Sequence, residues 1–137
     1  MLTENDVITA VCAELSRRGW ETLSTATTRQ RGDDVVASRS NIVLRIEAKG
    51  ATSSKPTTAR YGVGFNVRQV KTHVAMAVLR AMSVVSAGES QAAIALPDDA
   101  RHRTEVASVT PALDALGIGV FFVSNDGSVE VPTAWRT

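Results

Sequence analysis

Apolar residues near the start of the chain recur at helical spacing. Ile8, Val11, Cys12 and Leu15 fall on one face, which predicts an amphipathic helix. Thr3 and Asp6 form a T-x-x-D pattern that caps its start, and Gly19 ends it. The period then shortens. "WETLSTATT" (20–28) has the β-branched and aromatic bias of a strand, and "DVVAS" (34–38) and "NIVLRIEAK" (41–49) read as two strands joined by a short polar turn around Arg39 and Ser40. The next stretch, "ATSSKPTTARYGVGF" from Ala51 to Phe65, has no periodicity and is rich in Ser, Thr and Gly. It predicts a loop of about 15 residues, a length that compact domains usually reserve for function.

Helical spacing returns in "NVRQVKTHVAMAVLRAMSVV" (66–85), with Val70, Val74, Ala77, Val78 and Ala81 on the buried side and Gly88 closing the helix. "QAAIAL" is a near-continuous apolar run ended by Pro97, as expected of a strand covered on both faces. After "PDDARHRTEV", Thr110 as N-cap and Pro111 at the first helical position open a short helix through Leu116, which Gly117 stops. "IGVFFVS" is a second buried strand, and the Asn125-Asp126-Gly127 turn leads into a last strand, "SVEV". Helix, three strands, loop, helix, strand, helix, strand, strand is the order of an α/β fold.

A chain of 137 residues, 44% apolar and 21% charged, has the length and composition of one globular domain, residues 1–137. No apolar run approaches the roughly 20 residues of a membrane helix, and the first residues lack the layout of a signal peptide. The expected location is therefore cytoplasmic, with no membrane partner. The single Cys12 rules out an internal disulfide and a Cys-based zinc site, and its setting in "VITAVCAEL" is that of a small buried residue.

The net charge of +1 conceals an uneven distribution: ten basic residues lie between Glu21 and Glu89, against only three acids, Asp33, Asp34 and Glu47. Such a segment suits a polyanionic partner, although a solvated basic surface has the same composition. The three acids coincide with strand ends. Side chains alternate along a strand, so Glu47 and Lys49 share one side while Ile46 and Ala48 face the core with Ile42 and Leu44. The hairpin returns Asp34 to the neighbourhood of Glu47. Hard divalent cations take carboxylate, carbonyl and water oxygens, so Asp34, Glu47 and the backbone carbonyl of Ala48 are candidate ligands, with Lys49 beside the attacking water.

Asp34 in "GDDVVA" and Glu47 and Lys49 in "RIEAKG" resemble the signature of the PD-(D/E)XK nuclease superfamily. The likeness extends to the order of elements over most of the chain. It implies a restriction-endonuclease-like fold, a central mixed β-sheet flanked by helices with an αβββαβ core. It also implies an endonuclease that uses Mg²⁺, or Mn²⁺ in its place, to hydrolyse phosphodiester bonds in DNA, with Asp34, Glu47 and Lys49 catalytic. The Pro of the family name is absent and Asp33 stands in its place; Val35 and Val36 directly follow Asp34, which makes Asp34 the ligand.

Two further positions resemble the family. Glu4 shares a helix face with Ile8, Val11 and Leu15, where the family's first helix often adds a carboxylate to the metal; a first-turn acid is also favoured by the helix dipole alone. Gln69 matches an extra polar residue that some branches place beside the metal. His73, one turn further on, reads as a packed histidine. Lys55, Arg60, Arg68 and Lys71 are the candidate nucleic-acid contacts.

No phosphate loop, G-x-G-x-x-G or G-x-S-x-G is present, and with six aromatic residues there is little material for a stacking platform beyond Tyr61 and Phe65. With no sequence-reading domain, specificity would come from nucleic-acid structure, a homodimer or a partner subunit. Two rival readings are a catalytically inactive nucleic-acid-binding or scaffold module of the same fold, and a merely charged strand face at Arg45, Glu47 and Lys49. Confinement of all three acids to the motif favours the nuclease.

Overall fold

The computed structural model describes residues 1–26, 33–52 and 64–132. Helix α1 (Glu4–Arg17) starts at a closed capping box: Thr3 N–H donates to Asp6 Oδ2 at 2.8 Å and Asp6 N–H to Thr3 Oγ1 at 3.2 Å. Val7, Ile8, Val11 and Leu15 are its buried stripe. Cys12, expected to be buried, is half-buried at the edge of that stripe.

Strands β1 (Glu21–Thr25), β2 (Val35–Arg39) and β3 (Ile42–Ala48) form an antiparallel meander. Ser40 and Asn41 make the tight turn between β2 and β3 with positive φ of 50° and 67°, the conformation whose twist matches paired strands. Helix α2 (Val67–Ala87) returns the chain to β4 (Gln91–Pro97), parallel to β3. Two short helices, α3 (Ala100–Ala107) and α4 (Thr110–Leu116), lead to β5 (Gly119–Val123), parallel to β4, and β6 (Val129–Glu130) turns back beside β5. One six-stranded mixed sheet results, in the order β1-β2-β3-β4-β5-β6. This is the α/β architecture expected from the order of elements.

The sheet has a core on each face. Leu44, Ile46, Ala48, Ala93 and Ala95 pack with α1, while Ala92, Ile94 and Leu96 pack with Val70, Val74, Ala77, Ala81 and Val84 of α2. Strand β4 supplies both, which is why its sequence is apolar without alternation.

Four expectations need correction. Ile42 is not core: it is the first residue of β3, next to the turn, and is 42% exposed. "PDDARHRTEV" contains α3, which few apolar residues announce; Asp99 caps it, accepting from His102 N–H at 2.9 Å. Thr110 is not the cap of α4. Val109 holds that position without a side-chain bond, and Thr110 Oγ1 donates to Val106 O at 2.9 Å. Finally, α2 does have the length and apolar composition of a membrane span, although one face of it is committed to the sheet.

Of the loop expected from Ala51 to Phe65, residues 53–63 lie outside the described residues. Its ends meet, with Phe65 N–H donating to Ala51 O at 3.0 Å.

Candidate active site

The β2–β3 register fixes the first half of the site. Val35 pairs with Ile46, so Asp34 stands one step beyond, opposite Glu47. Asp34 is 8% exposed, and its Oδ2 accepts the Ala48 N–H at 2.8 Å. Lys49 Nζ lies 3.5 Å from Glu47 Oε1, with both side chains mostly covered. Asp34, Glu47, Ala48 and Lys49 are thus brought together at the C-terminal end of β3.

Glu4 joins them through backbone packing. Ala51 N–H donates to Leu2 O at 2.8 Å, tying the chain after β3 to the residues before α1. Gly50 makes the approach possible, because a Cβ there would press into the backbone of Thr3 and Glu4. The first turn of α1 therefore overhangs the strand end and brings Glu4 close enough to Asp34 and Lys49 to feel their charges.

Glu4 and Glu47, half-buried beside Asp34, resist ionisation. Glu4 and Glu47 are each pushed up to about 7, first by desolvation and next by the charge of Asp34, while Lys49 pulls in the opposite direction. Near neutral pH Glu4 and Glu47 are therefore partly protonated. Among the described residues no group of three or more His, Cys, Asp or Glu side chains is disposed to hold a metal ion.

Asp33 has a separate role that the sequence did not reveal. Its side chain is 4% exposed and uses both oxygens, Oδ2 with Arg45 at 2.9 Å and Oδ1 with Arg80 at 2.7 Å. It clamps β3 to α2, and Arg45 extends the clamp to Ser90 Oγ at 3.1 Å. Two cations of the basic segment are thereby neutralised. A third, Arg39, stacks over Trp20 at 4.8 Å and donates to Arg18 O.

Gln69 closes the second capping box: its Oε1 accepts from Asn66 N–H at 2.9 Å and its own N–H donates to Asn66 Oδ1. That gives this residue a structural use independent of catalysis. His73 is half-buried with its ring edge-on to Phe65 at 4.6 Å. Burial and then the charge of Lys49 lower its affinity for a proton; the ring is packed, but its Nδ1 is buried without a hydrogen-bond partner among the described residues. Arg68 and Lys71 are exposed on the first turns of α2, while Lys55, Arg60 and Tyr61 lie outside the described residues.

A second histidine is not marked by the sequence. His102 is 1% exposed, with Nδ1 at 2.8 Å and 2.9 Å from the two carboxylate oxygens of Asp99. The D-x-x-H spacing on one helical turn was its only signal. It lines a cavity of about 370 Å³ with Ala51, Gly64, Phe65 and Arg101. A larger cavity of about 550 Å³ lies at the other end of the sheet, between Trp20, Arg39, Ile42 and Gly117. It has no carboxylate or histidine in its lining, so size does not locate the chemistry here.

No family model and no curated protein matches the chain. Among solved structures it is similar to Pyrococcus furiosus SfsA, determined in complex with Ca²⁺, at 12% identity and a TM-score of 0.40. The likeness covers 93% of this chain and spans 58% of the SfsA chain. It is remote, and the functional reading rests on the chain's own residues.

Proposed function

We propose that the chain is a metal-dependent nuclease of the PD-(D/E)XK type, hydrolysing phosphodiester bonds in DNA. The observation that carries this reading is the convergence of Glu4, Asp34, Glu47 and Lys49 at the end of β3. A purely structural cluster would be expected to pair its carboxylates with arginines, as Asp33 does. Here three acids share one lysine and repel one another, an arrangement that favours a cationic ligand.

By the type of its donors, though not by their present spacing, the set suits a hard divalent cation such as Mg²⁺, with Mn²⁺ as a substitute. Asp34, Glu47 and the carbonyl of Ala48 would hold it, with Glu4 as a further carboxylate, all through oxygen. When bound, the ion supplies positive charge at the phosphate and a more acidic water. Lys49 then sits where an amine can orient the attacking water and offset negative charge on the phosphorane-like transition state. Lys71, with Lys55 and Arg60, supplies cations for the backbone phosphates.

Mg²⁺-dependent cleavage of plasmid, single-stranded and branched DNA and of RNA tests the proposal. Lys49→Ala should lower cleavage by about 10²-fold or more while circular dichroism shows an unchanged fold. Absence of cutting on all four by the wild-type protein would replace the nuclease with a nucleic-acid-binding module of the same fold.

A further inference from the structure

The side of α2 that faces away from the sheet is apolar where a solvated helix would be charged. Met76 is 54% exposed, Leu79 69% and Met82 43%. From Thr72 to Gly88 the only side chain carrying a fixed charge is Arg80, and it is held by Asp33. This second apolar face, opposite the one on the sheet, gives α2 its membrane-like composition, and among the described residues nothing covers it.

Its sequence is close to symmetric about Leu79. Met76 and Met82 lie three residues to either side, Ala75 and Ser83 four, Thr72 and Ser86 seven, and Arg68, eleven before, is balanced by Glu89 and Ser90, just past the Gly88 C-cap. On a helix surface Met76, Leu79 and Met82 form a bulky i±3 ridge, while Ala75 and Ser83 leave shallow grooves along the i±4 row through Leu79. Such a face is complementary to its own copy turned end for end, the condition for an isologous two-fold contact.

Charge selects the same partner. Arg68, exposed in the first turn, would meet Glu89 and the carbonyl end of α2 in the second copy, where a cation is stabilised by the helix dipole. Neither Arg68 nor Glu89 has an ion pair among the described residues.

We propose that this face is the interface of a homodimer in which two copies pack antiparallel through α2, with the axis at Leu79. Arg68 then belongs to the interface and not to the phosphate-binding set. The carboxylate cluster lies near the N-terminal end of α2, so the two clusters are set toward opposite ends of a helix pair about 30 Å long. The proposal does not depend on the nuclease reading.

Sedimentation of the full chain between about 1 and 500 µM, a range that covers weak as well as firm association, tests it. The wild-type protein should show a monomer–dimer equilibrium that Leu79→Glu abolishes with the circular dichroism unchanged. Arg68→Glu should weaken dimerisation by about ten-fold, and Glu89→Arg added to it should restore the affinity. A wild-type protein that stays monomeric, or a dimer indifferent to Leu79→Glu, overturns the proposal. So does a monomer in which Leu79→Glu lowers binding to duplex DNA or to phosphatidylserine vesicles, which would assign the face to nucleic acid or to lipid.

Discussion

Asp33 and Asp34 are adjacent in sequence and divided between two surroundings. Asp33 gives both oxygens to Arg45 and Arg80, whereas Asp34 accepts the Ala48 amide and stands among carboxylates. Asp33→Asn should therefore destabilise the protein by about 1–2 kcal/mol through loss of charge-assisted hydrogen bonds, the half-exposed arginines keeping the loss modest. Asp34→Asn should abolish cleavage while stability holds or rises, because Asn still accepts the amide and one repelling charge is gone. Urea unfolding alongside a plasmid assay separates the two effects.

The pH dependence of stability should carry the signature of Glu4 and Glu47. Both ionise near 4.5 when unfolded and near 7 when folded, so the folded state binds more protons between those values. Their contribution is fully present below pH 4.5 and is lost as pH rises through 7. His73, whose proton affinity is lowered by burial, works in the opposite sense around its ordinary value of 6.5. The comparison that isolates the cluster is thus wild type against Glu47→Gln in chelator-containing buffer. From pH 5 to 8 the midpoint temperature of wild type should fall relative to that of the variant. A parallel course for the two proteins would show that Glu47 ionises normally.

Divalent ions should stabilise the protein most where the carboxylates are ionised. Ca²⁺ should raise the wild-type midpoint more at pH 8 than at pH 6, and Glu47→Gln or Asp34→Asn should weaken that response. Calorimetry at the two pH values checks this through the protons released on binding.

Gly50 sets the distance between α1 and β3. Gly50→Ala should cost about 1–3 kcal/mol, as overpacking against backbone does, and should reduce divalent-ion affinity by displacing Glu4. Glu4→Gln should reduce the affinity without the loss of stability. Chemical denaturation and calorimetry on the two variants distinguish a spacing effect from a ligand effect.

Lys55 and Arg60 flank the motif in sequence and lie outside the described residues. Replacing both with Ala should flatten the log-affinity versus log-salt slope on duplex DNA by about two units, one condensed counterion for each lost phosphate contact. Metal affinity should be unchanged.

The sequence by itself determined the elements and the catalytic candidates. Periodicity is local, so the buried stripe of α1, the two-faced burial of β4 and the hairpin that sets Asp34 opposite Glu47 could all be read from it. Ile42 and α3 were misread for the same reason. A strand pattern does not say which of its apolar positions end up exposed, and a polar helix held by an Asp99 cap has too few apolar positions to show a period. Only the tertiary structure showed what each acid touches. The tie of Asp33 to Arg45 and Arg80 spans up to 47 residues of chain, and Glu4 reaches Asp34 because Gly50 lets two backbones touch. Likewise, the spacing of Met76, Leu79 and Met82 could be read as helical, but their exposure is set by which face of α2 the sheet leaves uncovered.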